Sequence, residues 1–145
     1  MPIIHDEAFR AWEACAPEGL TSDPVWRFHA YRVALYLLDL AASDVRALRA
    51  RRGVGGPGDQ LLRAVSSISA NVAEGFGRSR PTDRSHFFGI ALGSLRESMC
   101  GYRAVRAHLP PGLAEERFDQ LSQLRRILIG SQKWLASRHT HAHVM

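Results

Sequence analysis

Arginine side chains dominate the chemistry that this sequence can offer. The chain of 145 residues carries 19 Lys and Arg, 18 of them Arg, against 14 Asp and Glu, for a formal net charge of +5. A guanidinium group matches phosphate oxygens with two parallel hydrogen bonds, so this composition could reflect phosphate recognition. A GC-rich coding sequence would also enrich Arg at solvated positions. The positive net charge favours an acidic partner over a basic one.

The basic residues gather at one end of the molecule if the chain folds as four antiparallel helices. The start of the first helix, the turn between the second and third, and the end of the fourth would then share one pole. Basic side chains there could contact a phosphate backbone, and an oligomer would multiply them. Ordinary solvated charges are the alternative interpretation. The candidate nucleic-acid contacts, called the basic pole below, are Arg27, Arg78, Arg80, Arg84, Lys133 and Arg138.

A polar network is predicted between the second and third helices. Antiparallel pairing about a turn centred near Arg78 places Arg63 close to Glu97, with which it could form an ion pair. Asn71 and Glu74 are expected to bond backbone amides of the glycine-containing turn that follows them. We interpret the network as a device that fixes the helix pair, with ligand or partner binding as the alternative. Its members are Arg63, Asn71, Glu74, Ser94 and Glu97.

Catalytic and metal-binding patterns are weak in this sequence. The serines within residues 66–69 have no general base at a defined spacing, and helix packing of small residues explains them better. Cys15 and Cys100 form neither a disulfide framework nor a metal-ligand spacing. The alternating histidines within residues 139–143 could bind Zn or Ni weakly, but they lack a fourth ligand. We therefore predict no catalytic residue, no metal and no cofactor.

One catalytic alternative comes from the spacing of Arg and His. Helical toxin ribonucleases use an Arg followed a few residues later by a His, and the pairs Arg103 with His108 and Arg80 with His86 fit that loose pattern. With 18 Arg and 7 His in the chain, such pairs are expected by chance. A helical ribonuclease is therefore our third functional hypothesis.

The elements that must position these residues are predicted to be helices. Apolar residues within 61–72 recur at three- and four-residue steps, which is the spacing of one apolar helix stripe. Gly75 and Gly77 are expected to end this helix by adopting left-handed backbone, and Thr82 to cap the next helix. The four predicted helices span about residues 22–50, 59–74, 83–108 and 113–137, with a loop at 51–58.

The first predicted helix has a wider apolar surface than a single neighbour would cover. A surface this wide predicts burial between two helices plus a contact with another subunit. Before this helix, Phe9 and Trp12 lie on one face of a short helix and are expected to dock on this subunit or on a neighbour. The second of the two apolar stripes on the first helix consists of Tyr31, Leu35, Leu38, Ala42 and Val45.

These elements predict an all-α fold, an antiparallel up-down-up-down four-helix bundle with a short N-terminal helical extension. The extension comprises residues 1–22 and the bundle residues 23–138, followed by a disordered His-containing tail at 139–145. No apolar stretch approaches the roughly 20 residues of a membrane-spanning helix, and the N-terminus lacks the pattern of a secretory signal. We therefore expect a cytoplasmic protein without a membrane partner.

Two blocks of the sequence carry a resemblance to a known family. Residues 63–78 read RAVSSISANVAEGFGR and residues 87–97 read FFGIALGSLRE. At this mutual spacing they resemble the paired signature of the four-helix-bundle proteins related to the 23S rRNA intervening-sequence proteins, over roughly residues 25–137. The resemblance implies an up-down-up-down bundle that often assembles as a ring-shaped homopentamer. More distant relatives include accessory proteins of diversity-generating retroelements, which bind a reverse transcriptase and nucleic acid.

Together these inferences predict a non-enzymatic, oligomeric accessory or scaffold protein. Its expected partners are further copies of itself, with a pentamer favoured, and RNA, DNA or a nucleic-acid enzyme such as a reverse transcriptase. Basic surfaces would make these contacts. The alternative is a structural oligomer or regulator that binds protein only, without nucleic-acid contact.

Overall fold

The computed structural model describes residues 2–142, and within that part of the chain all regular secondary structure is helical, which confirms the all-α class. None of the described helices is long and apolar enough to cross a membrane. Three short 3-10 turns occupy Ile3–His5, Pro24–Arg27 and Arg106–His108. The α-helices are α1 (Glu7–Ala14), α2 (Glu18–Thr21), α3 (His29–Leu48), α4 (Gly55–Gly77), α5 (Pro81–Val105) and α6 (Leu113–Ala142).

The apolar stripe of α4 packs into the core, as its spacing predicted. Leu61, Val65, Ile68 and Val72 are each at most 1% exposed. Burying a side chain of this kind stabilises the fold by roughly 1.5–3 kcal/mol relative to leaving it in water. The other long helices supply the facing side chains, among them Val33 and Leu48, Leu95 and Tyr102, and Leu121, Leu124 and Leu128.

In two pairs of consecutive long helices, the start of the first helix contacts the second half of the next. Phe28, just before α3, stacks on Phe76 near the end of α4, with ring centroids 6.0 Å apart. Between α5 and α6, Gln132 Nε2 donates to the main-chain carbonyl of Ser85 over 2.9 Å. Such contacts are expected between neighbouring helices of the predicted antiparallel bundle.

A buried polar network ties α3, α5 and α6 together, and sequence reasoning missed it. Arg117 Nε donates to Asp44 Oδ2 over 2.8 Å, and Arg117 Nη2 donates to Asp44 Oδ1 over 3.2 Å. The Tyr102 hydroxyl donates to the same carboxylate over 2.8 Å, and Arg117 Nη1 donates to Gln120 Oε1 over 3.1 Å. Burial and the Asp44 charge raise the pKa of Tyr102 far above its ordinary value, so its hydroxyl keeps the proton that it donates.

The N-terminal extension packs on α3 of its own chain. Phe9 is 2% exposed and meets the Tyr36 ring edge-to-face, with centroids 5.2 Å apart. Trp12 Nε1 donates to Asp39 Oδ2 over 2.7 Å, and the Trp12 ring stacks on Trp26 with centroids 5.8 Å apart. The two aromatic side chains therefore dock within the subunit, the first of the two outcomes that their spacing allowed.

The second apolar stripe of α3 keeps part of its surface exposed. Val45 is buried, whereas Tyr31, Leu35, Leu38 and Ala42 are only half-buried. The N-terminal extension contacts α3 at Tyr36 and Asp39, and these four stripe residues stay partly exposed beside it. The half-buried stripe is therefore where the predicted subunit contact would lie.

Gly75 and Gly77 do not end α4 in the predicted way. The helix continues to Gly77, and the positive φ angles of the described chain occur instead at Gly53 and Gly112. Gly75 is needed for a different reason, because a Cβ there would lie 2.7 Å from Cε1 of the Phe88 ring. Its lack of a side chain lets α4 and α5 approach closely.

Other helix boundaries also differ from the predictions. α5 begins at Pro81, whose fixed φ suits a first helical position, so Thr82 lies inside the helix and the cap predicted from it is wrong. Asp23 caps the 3-10 turn Pro24–Arg27, and α3 begins only at His29.

Helices extend into both the predicted loop and the predicted tail. α4 begins at Gly55, so residues 55–58 of the predicted loop form its first turn. α6 runs to Ala142, four residues into the segment predicted as a disordered tail. The remainder of that segment, residues 143–145 with His143, lies outside the described residues.

Candidate nucleic-acid interface

The pairing of α4 with α5 sets the geometry of both predicted sites. Ser94 Oγ donates to Ser67 Oγ over 2.9 Å, whereas a turn centred near Arg78 would put Ser67 opposite residues 90–91. The observed register is therefore about one helical turn further along α5. The connection between the helices, residues 78–80, centres one residue beyond Arg78, which accounts for part of this shift.

Two members of the predicted polar network are joined through Ser67. Its hydroxyl accepts from Ser94 and also from Asn71 Nδ2, the latter over 3.1 Å. Asn71 Nδ2 donates to the Ser67 carbonyl as well, over 2.8 Å. The bond predicted from Asn71 to the turn amides is wrong, because residues 75–77 continue α4 and form no turn there. The Ser98 hydroxyl extends the chain by donating to the Ser94 carbonyl over 2.8 Å. The bond between Ser94 and Ser67 links α4 to α5, whereas the bonds of Asn71 and Ser98 stay within their own helices.

Arg63 and Glu97 lie outside this network. Arg63 is exposed and donates to Gln60 Oε1 over 2.8 Å, and the ion pair predicted with Glu97 is not formed in the described part of the chain. Ser98 is fully buried and points into the helix pair. Glu97 precedes it by one residue, which rotates it about 100° around α5 onto the exposed side.

Two members of the basic pole have carboxylate partners. Arg78 pairs with Glu74. The bond predicted from Glu74 to the turn amides is also wrong, since residues 75–77 belong to α4. The Arg78 guanidinium additionally lies 4.8 Å from the centroid of the Phe87 ring. Arg80 Nε donates to Asp83 Oδ2 over 2.9 Å. Because their charges are partly neutralised, these two cations are weaker candidates for phosphate contact than the sequence indicated.

The other members have no carboxylate partner among residues 2–142. Arg84 Nε donates to the main-chain carbonyl of Arg78, which orients the guanidinium and leaves its terminal nitrogens without a bond to any described residue. The Arg138 guanidinium lies over the Trp134 ring, 4.8 Å from its centroid. The four unpaired cations are Arg27, Arg84, Lys133 and Arg138.

An apolar cavity opens at the same end of the molecule. Its volume is about 420 Å³, and Arg84 lies on its wall. Aromatic rings from four segments converge on it: Phe28 before α3, Phe76 of α4, Phe88 of α5 and Trp134 of α6. Trp134 lines the cavity and is 54% exposed. The remaining lining residues are Ile127, Gly130, Ser131 and Leu135.

His29, at the start of α3, is a half-buried titratable group next to Phe28. Its Nε2 is buried and has no hydrogen-bond partner in the described chain, and its ring meets Phe9 edge-on at 6.1 Å. Burial lowers the pKa of His29 below its ordinary value, and the nearby Arg32 charge lowers it further against the opposing Glu13 charge. At neutral pH this imidazole therefore adds no positive charge to the basic pole.

Comparison with known families places half of the chain in one of them. The model of the family described as 23S rRNA-intervening sequence protein matches residues 56–128, which are 73 of the 145 residues. The match begins in the first turn of α4, spans α5 and ends within α6, and it includes Arg78, Arg80 and Arg84. No curated protein matches the chain. This chain belongs to the 23S rRNA-intervening sequence protein family.

Proposed function

We propose that this protein is a non-enzymatic accessory or scaffold protein that binds RNA through the basic pole. The observation that carries the proposal is that Arg84 and Arg138, which have no carboxylate partner in the described chain, both lie near the exposed Trp134. Lys and Arg contacts with phosphates supply nearly all of the non-specific affinity of proteins for nucleic acids. The family name refers to ribosomal RNA, which favours RNA over DNA as the partner.

We further propose an antiparallel up-down-up-down four-helix bundle that assembles into a cytoplasmic homo-oligomer, with a pentamer favoured. The half-buried stripe on α3 supports a contact between copies. A ring would repeat the basic pole around its axis, so one RNA strand could meet several poles and gain avidity. A reverse transcriptase or another nucleic-acid enzyme is the protein partner that such a scaffold would serve.

Fluorescence anisotropy with a labelled single-stranded RNA tests this function. We expect binding that weakens steeply between about 50 and 200 mM salt, because bound phosphates release counterions. The double variant Arg84→Glu/Arg138→Glu should lower the affinity about tenfold or more and flatten the salt dependence. The matched control Arg46→Glu/Arg126→Glu reverses two exposed, unpaired cations outside the pole and should bind nearly as the parent does.

Three outcomes would contradict the proposal. If the parent binds no RNA, the alternative of a protein-only oligomer or regulator takes its place. If the control variant loses as much affinity as the test variant, the pole is not the contact. If the RNA is cleaved without metal and His108→Ala abolishes the cleavage, the protein is a helical ribonuclease.

A further inference from the structure

We propose that the cavity at the basic pole receives one unpaired base of single-stranded RNA, stacked against Trp134. In this arrangement Arg84 and Arg138 hold the neighbouring phosphates. The inference rests on the proposed function and adds the form of RNA that the pole recognises.

The size and lining of the cavity suit a base. Its volume of about 420 Å³ falls within the range of roughly 300–1,000 Å³ that is typical of small-molecule sites. Three phenylalanine rings form its apolar wall, and Trp134 keeps more than half of its surface exposed. Aromatic side chains stack with every base, because each base has a π face.

The charges of the cavity suit the phosphates that accompany such a base. The bond from Arg84 Nε to the Arg78 carbonyl orients the guanidinium beforehand, so little side-chain freedom is lost when its terminal nitrogens bind phosphate oxygens. Arg138 lies on the tryptophan ring itself. A base on Trp134 would therefore bring its own phosphate to two cations that no carboxylate of the described chain neutralises.

The same lining predicts recognition by stacking and not by base sequence. The Ser131 hydroxyl already donates to the Ile127 carbonyl over 3.0 Å, and Arg84 is the only charged side chain on the described wall. The edge of a base would find few donors or acceptors. A base in a duplex must first be unpaired and unstacked, which costs a few kcal/mol. The cavity should therefore favour single strands over duplexes, with little preference for sequence.

Substitution of Trp134 tests the pocket separately from the pole. Trp134→Ala should weaken binding of a single-stranded RNA about tenfold, since one lost base stack has roughly this effect. The salt dependence should stay unchanged, because the phosphate contacts remain. Binding of duplex RNA should also stay unchanged, and Trp134→Phe should keep most of the affinity. The matched control is Ile90→Ala, the removal of another exposed large apolar side chain that does not line the cavity.

An RNA with abasic positions gives the second arm of the test. The parent should bind it about as weakly as Trp134→Ala binds ordinary RNA, and Trp134→Ala should lose nothing further on it. If Trp134→Ala binds ordinary single strands as the parent does, the base pocket is wrong. The proposed function then stands as long as Arg84→Glu/Arg138→Glu lowers the affinity and flattens its salt dependence. If Trp134→Ala instead changes the mass in light scattering with RNA affinity unaltered, the cavity is a contact between copies. If the parent binds no RNA, both proposals fail.

Discussion

Arg117 binds Asp44 in the core through two hydrogen bonds, and only 8% of the Arg117 side chain and 7% of the Asp44 side chain are exposed. The residues lie 73 positions apart, on α6 and α3. A charge in such a place costs several kcal/mol unless it is paired and its remaining lone pairs are satisfied. The Asp44 carboxylate meets both conditions, because it accepts a third hydrogen bond from Tyr102.

Breaking this pair from one side should destabilise the fold strongly. Arg117→Met leaves the Asp44 charge buried without its partner and should cost about 3–5 kcal/mol, measured by urea unfolding followed through helical circular dichroism. The double variant Arg117→Met/Asp44→Asn should regain a large part of the lost free energy of unfolding, since the unpaired buried charge is then removed. The control Arg49→Met breaks the exposed pair with Asp59 and should cost at most about 1 kcal/mol. Equal losses for Arg117→Met and the control would show that the buried charge is not the cause.

Two glycines of α5 should respond oppositely to alanine. A Cβ at Gly101 would lie 2.9 Å from Leu61 Cδ1 and 3.3 Å from Leu61 Cα, so Gly101→Ala forces α4 and α5 apart and should cost about 1–3 kcal/mol. A Cβ at Gly93 meets nothing within 4 Å, so Gly93→Ala should stabilise the helix by about 0.5–1 kcal/mol. Both changes in stability are measured from urea unfolding midpoints. A loss at Gly93 would instead reveal a contact with another molecule.

Stability should depend on pH through His29. Its folded pKa lies below the ordinary value of 6.5, so between the two values the unfolded chain binds more protons than the folded chain. The free energy of unfolding should therefore fall as the pH drops through this window. His29→Gln removes the effect, so unfolding midpoints at about pH 7.5 and pH 5.5 should differ less in the variant than in the parent. An identical pH dependence in both proteins would contradict this account.

The members of the basic pole should contribute unequally to RNA binding. Arg138→Ala removes a cation without a carboxylate partner and should lower the slope of log affinity against log salt by about 1. Arg80 must first leave Asp83 to reach a phosphate, so Arg80→Ala should change the slope little. Titrations at four salt concentrations would measure both slopes. A larger change for Arg80 than for Arg138 would reverse this ranking.

The oligomeric state can be determined from the molar mass in solution. Light scattering at micromolar concentration should give a mass near five times 16.1 kDa. Leu35→Glu places a charge on the half-buried stripe of α3, which would be costly in an apolar contact, and should shift the mass to that of the monomer. Ile90→Glu, a comparable change on α5, should leave the mass unchanged. A parent that is already monomeric would refute the oligomer.

Features that depend on neighbouring residues in the chain could be predicted from the sequence. Contacts between residues far apart in the chain could not. The buried stripe of α4 follows from periodicity alone. The exposed pairs of Arg78 with Glu74 and of Arg80 with Asp83 have the four- and three-residue spacing of helix neighbours, so this spacing alone indicates them.

The register of α4 against α5 could not be read in the same way. The register depends on how the two helices pack as well as on where the connection lies, and a shift of about two residues in its centre moves every facing partner by about one turn. The cavity likewise depends on four segments converging, which no local spacing encodes.

The three tryptophans are divided between two regions of the molecule. Trp12 and Trp26 stack on each other, half-buried, where the N-terminal extension meets α3, whereas Trp134 stands more than half exposed at the cavity. A solvent-exposed indole emits at longer wavelength than one shielded by protein. The fluorescence of Trp12 and Trp26 should therefore report release of the N-terminal segment, and that of Trp134 should report binding of a ligand in the cavity. The two events can be distinguished without an external dye.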